Sequence, residues 1–118
     1  MSYFIFPQGW ITPAITAAAL AFGSLDQSVS VIYRNIKGGA LSENRPPATI
    51  IIDKRPAKEW PRERAQCVLA HQYGHLADFK DSTNKTDTTH SDNPNSIMYA
   101  TLTPKTCHRW LVRQGLSE

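Results

Sequence analysis

Two histidines four residues apart, His71 and His75, constrain this chain more than any other feature. Residues separated by one helical turn lie on the same face of a helix, so both imidazoles can point at one metal ion if this segment is helical. Pro61 is typical of a helix start, and we expect the helix to run from there to about Phe79. The pattern therefore predicts a helix that carries two ligands of a metal site.

A second segment, residues 90–99, reads HSDNPNSIMY. Together with HQYGH at residues 71–75 it resembles the metzincin clan of zinc metallopeptidases, in which H-E-x-x-H-x-x-G-x-x-H precedes a methionine-containing turn, the Met-turn. The resemblance is closest to the matrixin type and covers about residues 62–115. It implies Zn²⁺ as the cofactor, with His71, His75 and His90 as its ligands. The implied Met-turn consists of Ser96, Ile97, Met98 and Tyr99, with Met98 beneath the metal.

Three departures from the metzincin pattern bear on the site. Gln72 stands where the pattern has the general-base Glu. Asp78 stands where the pattern has a Gly that permits a sharp turn with positive φ. The third ligand would ordinarily fall at Asp81, which is itself a competent zinc ligand and remains the alternative to His90. We favour His90 because its spacing to Met98 fits the matrixin turn, and we expect the longer loop to remove the need for a sharp turn.

The residue at position 72 decides which chemistry the resemblance implies. In a metzincin the Glu accepts a proton from the attacking water and passes it to the leaving amine. Gln72 has nearly the same shape but cannot act as a base at neutral pH. We therefore predict a zinc-dependent endopeptidase that is inactive in this form, because loss of a general base costs on the order of 10²–10⁴ in rate. The alternative is a non-catalytic, zinc-containing protein that binds peptides. An isosteric Gln is typical both of an engineered inactive variant and of a natural pseudopeptidase. We favour the engineered variant.

The apolar periodicity of the whole chain predicts an α+β fold. Its elements are expected as strands at residues 3–6, 29–33 and 48–53, and as helices at residues 12–22, 61–79 and 103–114. Thr12-Pro13 and Thr103-Pro104 are typical helix starts, whereas Gly23 and Gly115 are typical ends. The resemblance implies a small mixed sheet with a backing helix and an active-site helix, followed by the Met-turn and a C-terminal helix.

Length and composition restrict the possible classes of protein. A chain of 118 residues predicts one domain, which the resemblance divides into subdomains of about residues 1–80 and 81–118. No apolar run approaches the ~20 residues that span a bilayer. The N-terminus lacks the features of a signal peptide, so we expect a cytoplasmic protein, with a monomer favoured. The net charge is +3, and the basic stretch 54–64 lacks an aromatic-interleaved motif, so no nucleic-acid partner is expected.

The remaining predictions concern the cysteines and the substrate. Cys67 and Cys107 lie on helices that can pack together, and without evidence of secretion we favour two buried thiols over a disulfide. The expected substrate is a peptide or protein segment in an extended conformation, paired with a sheet-edge strand. Residues 36–42, which include Gly38-Gly39, are the predicted rim of that binding cleft.

Overall fold

The structure, a computed structural model, describes residues 4–118. This part of the chain contains a three-stranded sheet and four helices. In chain order the elements are α1 (Gln8–Phe22), β1 (Val29–Arg34), β2 (Ala40–Glu43), β3 (Ala48–Asp53), α2 (Lys54–Ala57), α3 (Arg62–Leu76) and α4 (Pro104–Arg113). The strand order is β1-β3-β2, with β1 parallel and β2 antiparallel to β3. The expected α+β class with a small mixed sheet is confirmed. Within residues 4–118, no helix combines the length and the apolar character needed to cross a membrane.

The central strand of the sheet is β3. Every residue of β3 except Thr49 is buried, as expected for a near-continuous apolar run that is covered on both faces. β1 extends one residue beyond the predicted strand at residues 29–33, and β3 matches the prediction at 48–53. β2 is an edge strand that overlaps the predicted rim at residues 36–42. Residues 40–42 of the predicted rim therefore lie on an edge of the sheet.

The N-terminal apolar run does not form a strand. The prediction at residues 3–6 is wrong for the three residues that the structure describes there, and Tyr3 lies outside the described part. The Phe6 N–H donates to the Tyr33 hydroxyl oxygen at 3.0 Å. The Phe6 ring is buried, with its centroid 5.3 Å from the Phe4 ring and 5.6 Å from the Tyr33 ring. Burial of these rings takes the place of strand pairing.

Helix α1 begins earlier than the sequence predicts. Its first residue is Gln8, so the predicted start at Thr12 is wrong and Pro13 lies inside the helix. Proline in a helix interior removes one backbone hydrogen bond. The first turn is stabilised instead by tertiary contact, because the Trp10 ring packs 6.1 Å from the Phe6 ring, centroid to centroid. Packing of this kind routinely outweighs local helix preferences.

The predicted start and end of α4 and the predicted end of α1 are confirmed by their caps. Thr103 precedes α4, and its side chain accepts a hydrogen bond from the Thr106 N–H at 3.2 Å. Pro104 is the first residue of that helix. Gly23 and Gly115 follow α1 and α4 with φ of 96° and 74°, values that glycine adopts without strain.

Helix α3 ends before the predicted limit at Phe79. Asp78 has φ of 61°, which places it in the left-handed region. The N–H groups of Asp78 and Phe79 donate to the carbonyls of His75 and Gly74, at 3.0 and 2.9 Å. This is a Schellman motif, which usually has Gly at the position that Asp78 occupies. The expectation that the long loop removes the sharp turn is therefore wrong, because the turn forms at Asp78.

Helix α3 contributes to two clusters of buried residues. The first joins α3 to α1, α4 and the Met-turn, and includes Cys67, Tyr73, Met98, Trp110 and Leu111. The second joins α3 to β3 and α1, and includes Leu69, Leu76, Ile50, Ile52 and Ala14. The histidine-bearing helix is thus held by apolar contacts from both the sheet and the C-terminal part of the chain.

Cys67 and Cys107 form a disulfide between α3 and α4. Both residues are buried, and their Cα atoms are 5.6 Å apart, within the range that a disulfide requires. The prediction of two buried thiols is therefore wrong. Sequence spacing could not reveal this pairing, because the proximity of the two cysteines arises from helix packing.

Candidate metal centre

Three histidine side chains from two segments of the chain meet at one point. His71 and His75 project from one face of α3, and their Nε2 atoms lie 3.1 Å apart. The ring of His90, from the loop after α3, lies 5.3 Å from the His71 ring and 4.8 Å from the His75 ring, centroid to centroid. One nitrogen from each ring falls within 4.8 Å of the others. These three histidines could therefore bind one metal ion.

The spacing of the two helical imidazole nitrogens is close to that around a tetrahedral ion. Metal–nitrogen bonds of about 2.0–2.1 Å in tetrahedral geometry separate neighbouring nitrogens by about 3.3 Å. The 3.1 Å separation between His71 and His75 is close to that value. A cavity of about 400 Å³ adjoins all three rings, which leaves room for a fourth ligand such as water or a substrate oxygen.

The remaining ring nitrogens of two of the histidines are held by oxygen acceptors. His71 Nδ1 lies 2.8 Å from the carbonyl oxygen of Ile97. Because a carbonyl can only accept, this contact fixes the proton on Nδ1 and leaves the Nε2 lone pair free for a metal. His90 Nδ1 lies 2.7 Å from a carboxylate oxygen of Asp87. Both contacts are of the kind that orients histidine ligands in metal sites.

Burial favours the neutral form of the two helical imidazoles. Burial lowers the pKa of His71, and burial together with the nearby His71 and His90 rings lowers the pKa of His75 to about 4. Hydrogen bonds from Thr89 and His90 hold the pKa of the Asp87 carboxyl well below its usual range. At neutral pH the two helical imidazoles are uncharged and Asp87 is ionised. Neutral imidazole is the form that coordinates a metal.

Met98, in the predicted Met-turn, packs against Gly74 of α3. Gly74 lies between the two helical histidines, and Met98 is fully buried. A Cβ added at Gly74 would overlap the Met98 Sδ and lie 2.9 Å from its Cε. Only glycine at position 74 lets Met98 approach the helix this closely.

The four predicted Met-turn residues form a tight turn that also positions His90. Ser96 Oγ accepts from the Met98 N–H at 3.0 Å, and the Ser96 carbonyl accepts from the Tyr99 N–H at 3.0 Å. The N–H of Ser91, next to His90, donates to the Met98 carbonyl at 2.9 Å. Ser91 and Tyr99 also form a short β-bridge. The backbone beside His90 is therefore paired directly with the turn that contains Met98.

Asp81, the alternative ligand, has a different set of contacts. Its carboxylate accepts from the Thr83 N–H (2.9 Å), the Thr83 hydroxyl (2.6 Å) and the Asp92 N–H (3.0 Å). These hydrogen bonds, that of the Thr83 side chain first, lower the pKa of Asp81 to about 2. The carboxylate thus joins the two ends of the loop. Among residues 4–118, the group of side chains placed to hold a metal consists of His71, His75 and His90.

Gln72 lies beside the histidines and is tied to the edge strand. Ser42 Oγ, in β2, donates to Gln72 Oε1 at 2.6 Å. Ser42 and Gln72 both line the cavity that contains the three histidine rings. With its oxygen engaged by Ser42, the amide of Gln72 offers two N–H donors and no proton acceptor of useful strength.

Comparison with known proteins adds no relative: no family model, no curated protein and no solved structure matches this chain. The metzincin resemblance rests on the sequence of residues 71–75 and 90–99. Any activity assigned to the site is therefore argued from its chemistry.

Sequence reasoning did not single out two residues that contact the site. Asp87 binds the His90 ring, and the only local signal is an acidic residue three positions before a candidate ligand. Ser42 reaches Gln72 across the gap between β2 and α3, which no sequence pattern indicates. The Ile97 carbonyl was also missed, because every residue carries a carbonyl and only the fold selects one.

Proposed function

We propose that this chain is a minimal, metzincin-like zinc endopeptidase whose turnover is slow because Gln72 holds the position of the general base. The observation that carries the proposal is the cluster of His71, His75 and His90 beside Gln72 and an edge strand. Three imidazoles with one open position are the usual ligand set of catalytic zinc. A bound zinc ion would lower the pKa of a coordinated water and polarise the carbonyl of a peptide bond.

Edge strand β2 supports an extended peptide as the substrate. β2 pairs with β3 on one side only, and Ala40, Leu41 and Ser42 line the same cavity as the histidines. An extended peptide can add to such an edge through main-chain hydrogen bonds. A peptide that pairs with β2 would carry its backbone carbonyls past the three imidazoles.

The contacts of Gln72 explain the expected slow turnover. Its amide can donate a hydrogen bond to a water or a substrate oxygen in the cavity, but it cannot remove a proton at neutral pH. Its side-chain oxygen already accepts from Ser42 at 2.6 Å. The same contacts favour the second candidate function, a zinc-containing protein that holds peptides without cutting them.

Restoring the carboxylate distinguishes the two functions. We expect zinc-loaded Gln72→Glu protein to cleave an unfolded protein substrate on the order of 10²–10⁴ times faster than the unsubstituted chain, because a general base contributes about that much. The rate is measured by release of new amino termini, with and without a chelator. Gln72→Ala, which lacks both the base and its shape, is the matched control.

The outcomes separate the hypotheses. Cleavage by Gln72→Glu that the chelator abolishes, and that Gln72→Ala lacks, supports the peptidase. If both variants bind zinc and neither cleaves, the peptide-binding function is favoured. If His90→Ala retains stoichiometric zinc, measured by metal analysis, the proposed ligand set is wrong.

A further inference from the structure

A second cavity opens directly beside the histidines. Its volume is about 270 Å³. It shares Ala40, His71, Gln72 and Ala100 with the cavity that contains the metal cluster, so the two are continuous. A peptide on β2 with one carbonyl at the imidazoles would direct a neighbouring side chain into this space.

One face of α3 forms a wall of the second cavity and carries a cation. Arg64, Val68, His71 and Gln72 recur at helical spacing, and all four line the cavity. The Arg64 guanidinium carbon lies 5.1 Å from the centroid of the Trp60 ring, which also lines the cavity. Contact with an aromatic face restricts the guanidinium without neutralising its charge. Arg64 is therefore held at the cavity with its hydrogen-bond donors available.

The positive charge of Arg64 is not balanced within the cavity. None of the described residues that line it is acidic. The neighbouring carboxylate, Glu63, instead contacts His108 Nδ1 at 2.9 Å. Within residues 4–118, the ion pairs do not include Arg64. The cavity presents one unpaired guanidinium, has His71 and Gln72 on the side that it shares with the metal cluster, and is lined elsewhere mainly by small or apolar residues. Such a cavity is complementary to an acidic side chain with a short apolar stem.

We propose that this cavity is a specificity pocket for a Glu or Asp side chain of the bound peptide, with Arg64 as the selecting residue. The proposal rests on the proposed function, since β2 and the histidines align the peptide. The planar guanidinium matches a carboxylate in a bidentate geometry. The methylenes of a glutamyl side chain would pack against Val68 and Leu102, which line the cavity.

The test compares two peptides that differ in one group. Acetylated and amidated pentapeptides of alanine with a central Glu or Gln are titrated into the zinc-loaded, unsubstituted chain, and binding is followed by NMR at the Trp60 indole N–H. We expect the Glu peptide to bind about fivefold tighter, the upper range for an exposed ion pair, with a shift of the Trp60 signal. In Arg64→Gln protein the two peptides should bind equally. Arg113→Gln, which removes the same charge from the far end of α4, should keep the preference.

Each outcome decides the proposal. Equal binding of the two peptides by the unsubstituted chain, or a Glu preference that persists in Arg64→Gln protein, would overturn it. Loss of the preference in Arg113→Gln protein would also overturn it, because net charge would then be the cause. If Gln72→Glu protein fails to cleave but the Arg64-dependent preference remains, the pocket stands and the peptidase function falls.

Discussion

Single residues at the metal centre differ in how firmly their surroundings hold them. His71 is buried, donates to the Ile97 carbonyl and lies on a helix that packs against Met98. His90 depends on Asp87, whose side chain is 46% exposed, and on the backbone of the neighbouring loop. His90 is therefore the ligand most sensitive to changes in its support, and the helical pair forms the fixed half of the site.

The contact between Gly74 and Met98 gives a prediction at the scale of one methyl group. In Gly74→Ala protein the new Cβ would overlap the Met98 Sδ, and Met98 is too buried to move freely. Overpacking costs about 1–3 kcal/mol, whereas exchange of Gly for Ala in a helix gains only about 1 kcal/mol. We expect a net loss of up to about 2 kcal/mol in the free energy of unfolding, measured by urea denaturation.

A matched glycine serves as the control for Gly74. Gly9 lies in α1, and a Cβ added there would meet nothing within 4 Å. Gly9→Ala should therefore leave stability unchanged or raise it by up to about 1 kcal/mol. If both substitutions shift stability in the same direction, close packing at Met98 is not the reason for glycine at position 74.

At the scale of elements, the end of α3 sets the direction in which the chain leaves the site. Asp78 holds a left-handed conformation that glycine adopts more easily. We expect Asp78→Gly to raise the free energy of unfolding by about 0.5–1 kcal/mol, and Asp78→Val to lower it by about 1–2 kcal/mol. Urea denaturation of the two variants beside the unsubstituted chain measures both changes.

The ion pair of Asp78 could confuse this comparison and needs its own control. The Lys80 Nζ and Asp78 Oδ1 atoms are 3.4 Å apart, and both side chains are more than half exposed. Such pairs contribute little, so Lys80→Ala should change stability by less than about 0.5 kcal/mol. A gain for Asp78→Val, or a loss for Asp78→Gly, would contradict the backbone explanation.

At the scale of the whole molecule, the predictions that succeeded rest on local signals. The apolar run of β3, the Thr103-Pro104 start of α4 and the glycines after α1 and α4 act within a few residues of chain, and the sequence displays them directly. Errors arose where tertiary contacts decided the outcome. Phe6 buries its ring and does not pair as a strand. Trp10 packs against that ring, and α1 therefore begins at Gln8, before the predicted start at Thr12.

At the candidate site, too, local signals could be predicted from the sequence and tertiary contacts could not. The spacing of His71 and His75 is a helical signal, and the register of His90 with Met98 indicated the third histidine. Asp87 and Ser42 could not be predicted, because their contacts depend on how the loop folds back and how β2 lies against α3. The division into two subdomains near residue 80, the monomeric state and the cytoplasmic location remain predictions.

The whole molecule should depend on metal for its stability. Residues 80–96 contain almost nothing apolar, so the loop that carries His90 gains little from burial. A zinc ion shared by His90 and α3 would join this loop to the core. At a free zinc concentration of 1,000 times Kd, binding to the folded state adds about 4 kcal/mol. That corresponds to a rise in Tm on the order of 10–20 °C for a chain of this size.

Calorimetry with and without a chelator measures this dependence, and His90→Ala is the control. We expect the chelator to lower the Tm of the unsubstituted chain and to leave that of His90→Ala protein unchanged, because the variant lacks the ligand that joins the loop to α3. Hydrogen exchange should show the loss of protection concentrated in residues 80–96 rather than in β3, whose stability comes from apolar burial. An equal fall in Tm for both proteins would mean that zinc stabilises the fold through residues other than His90.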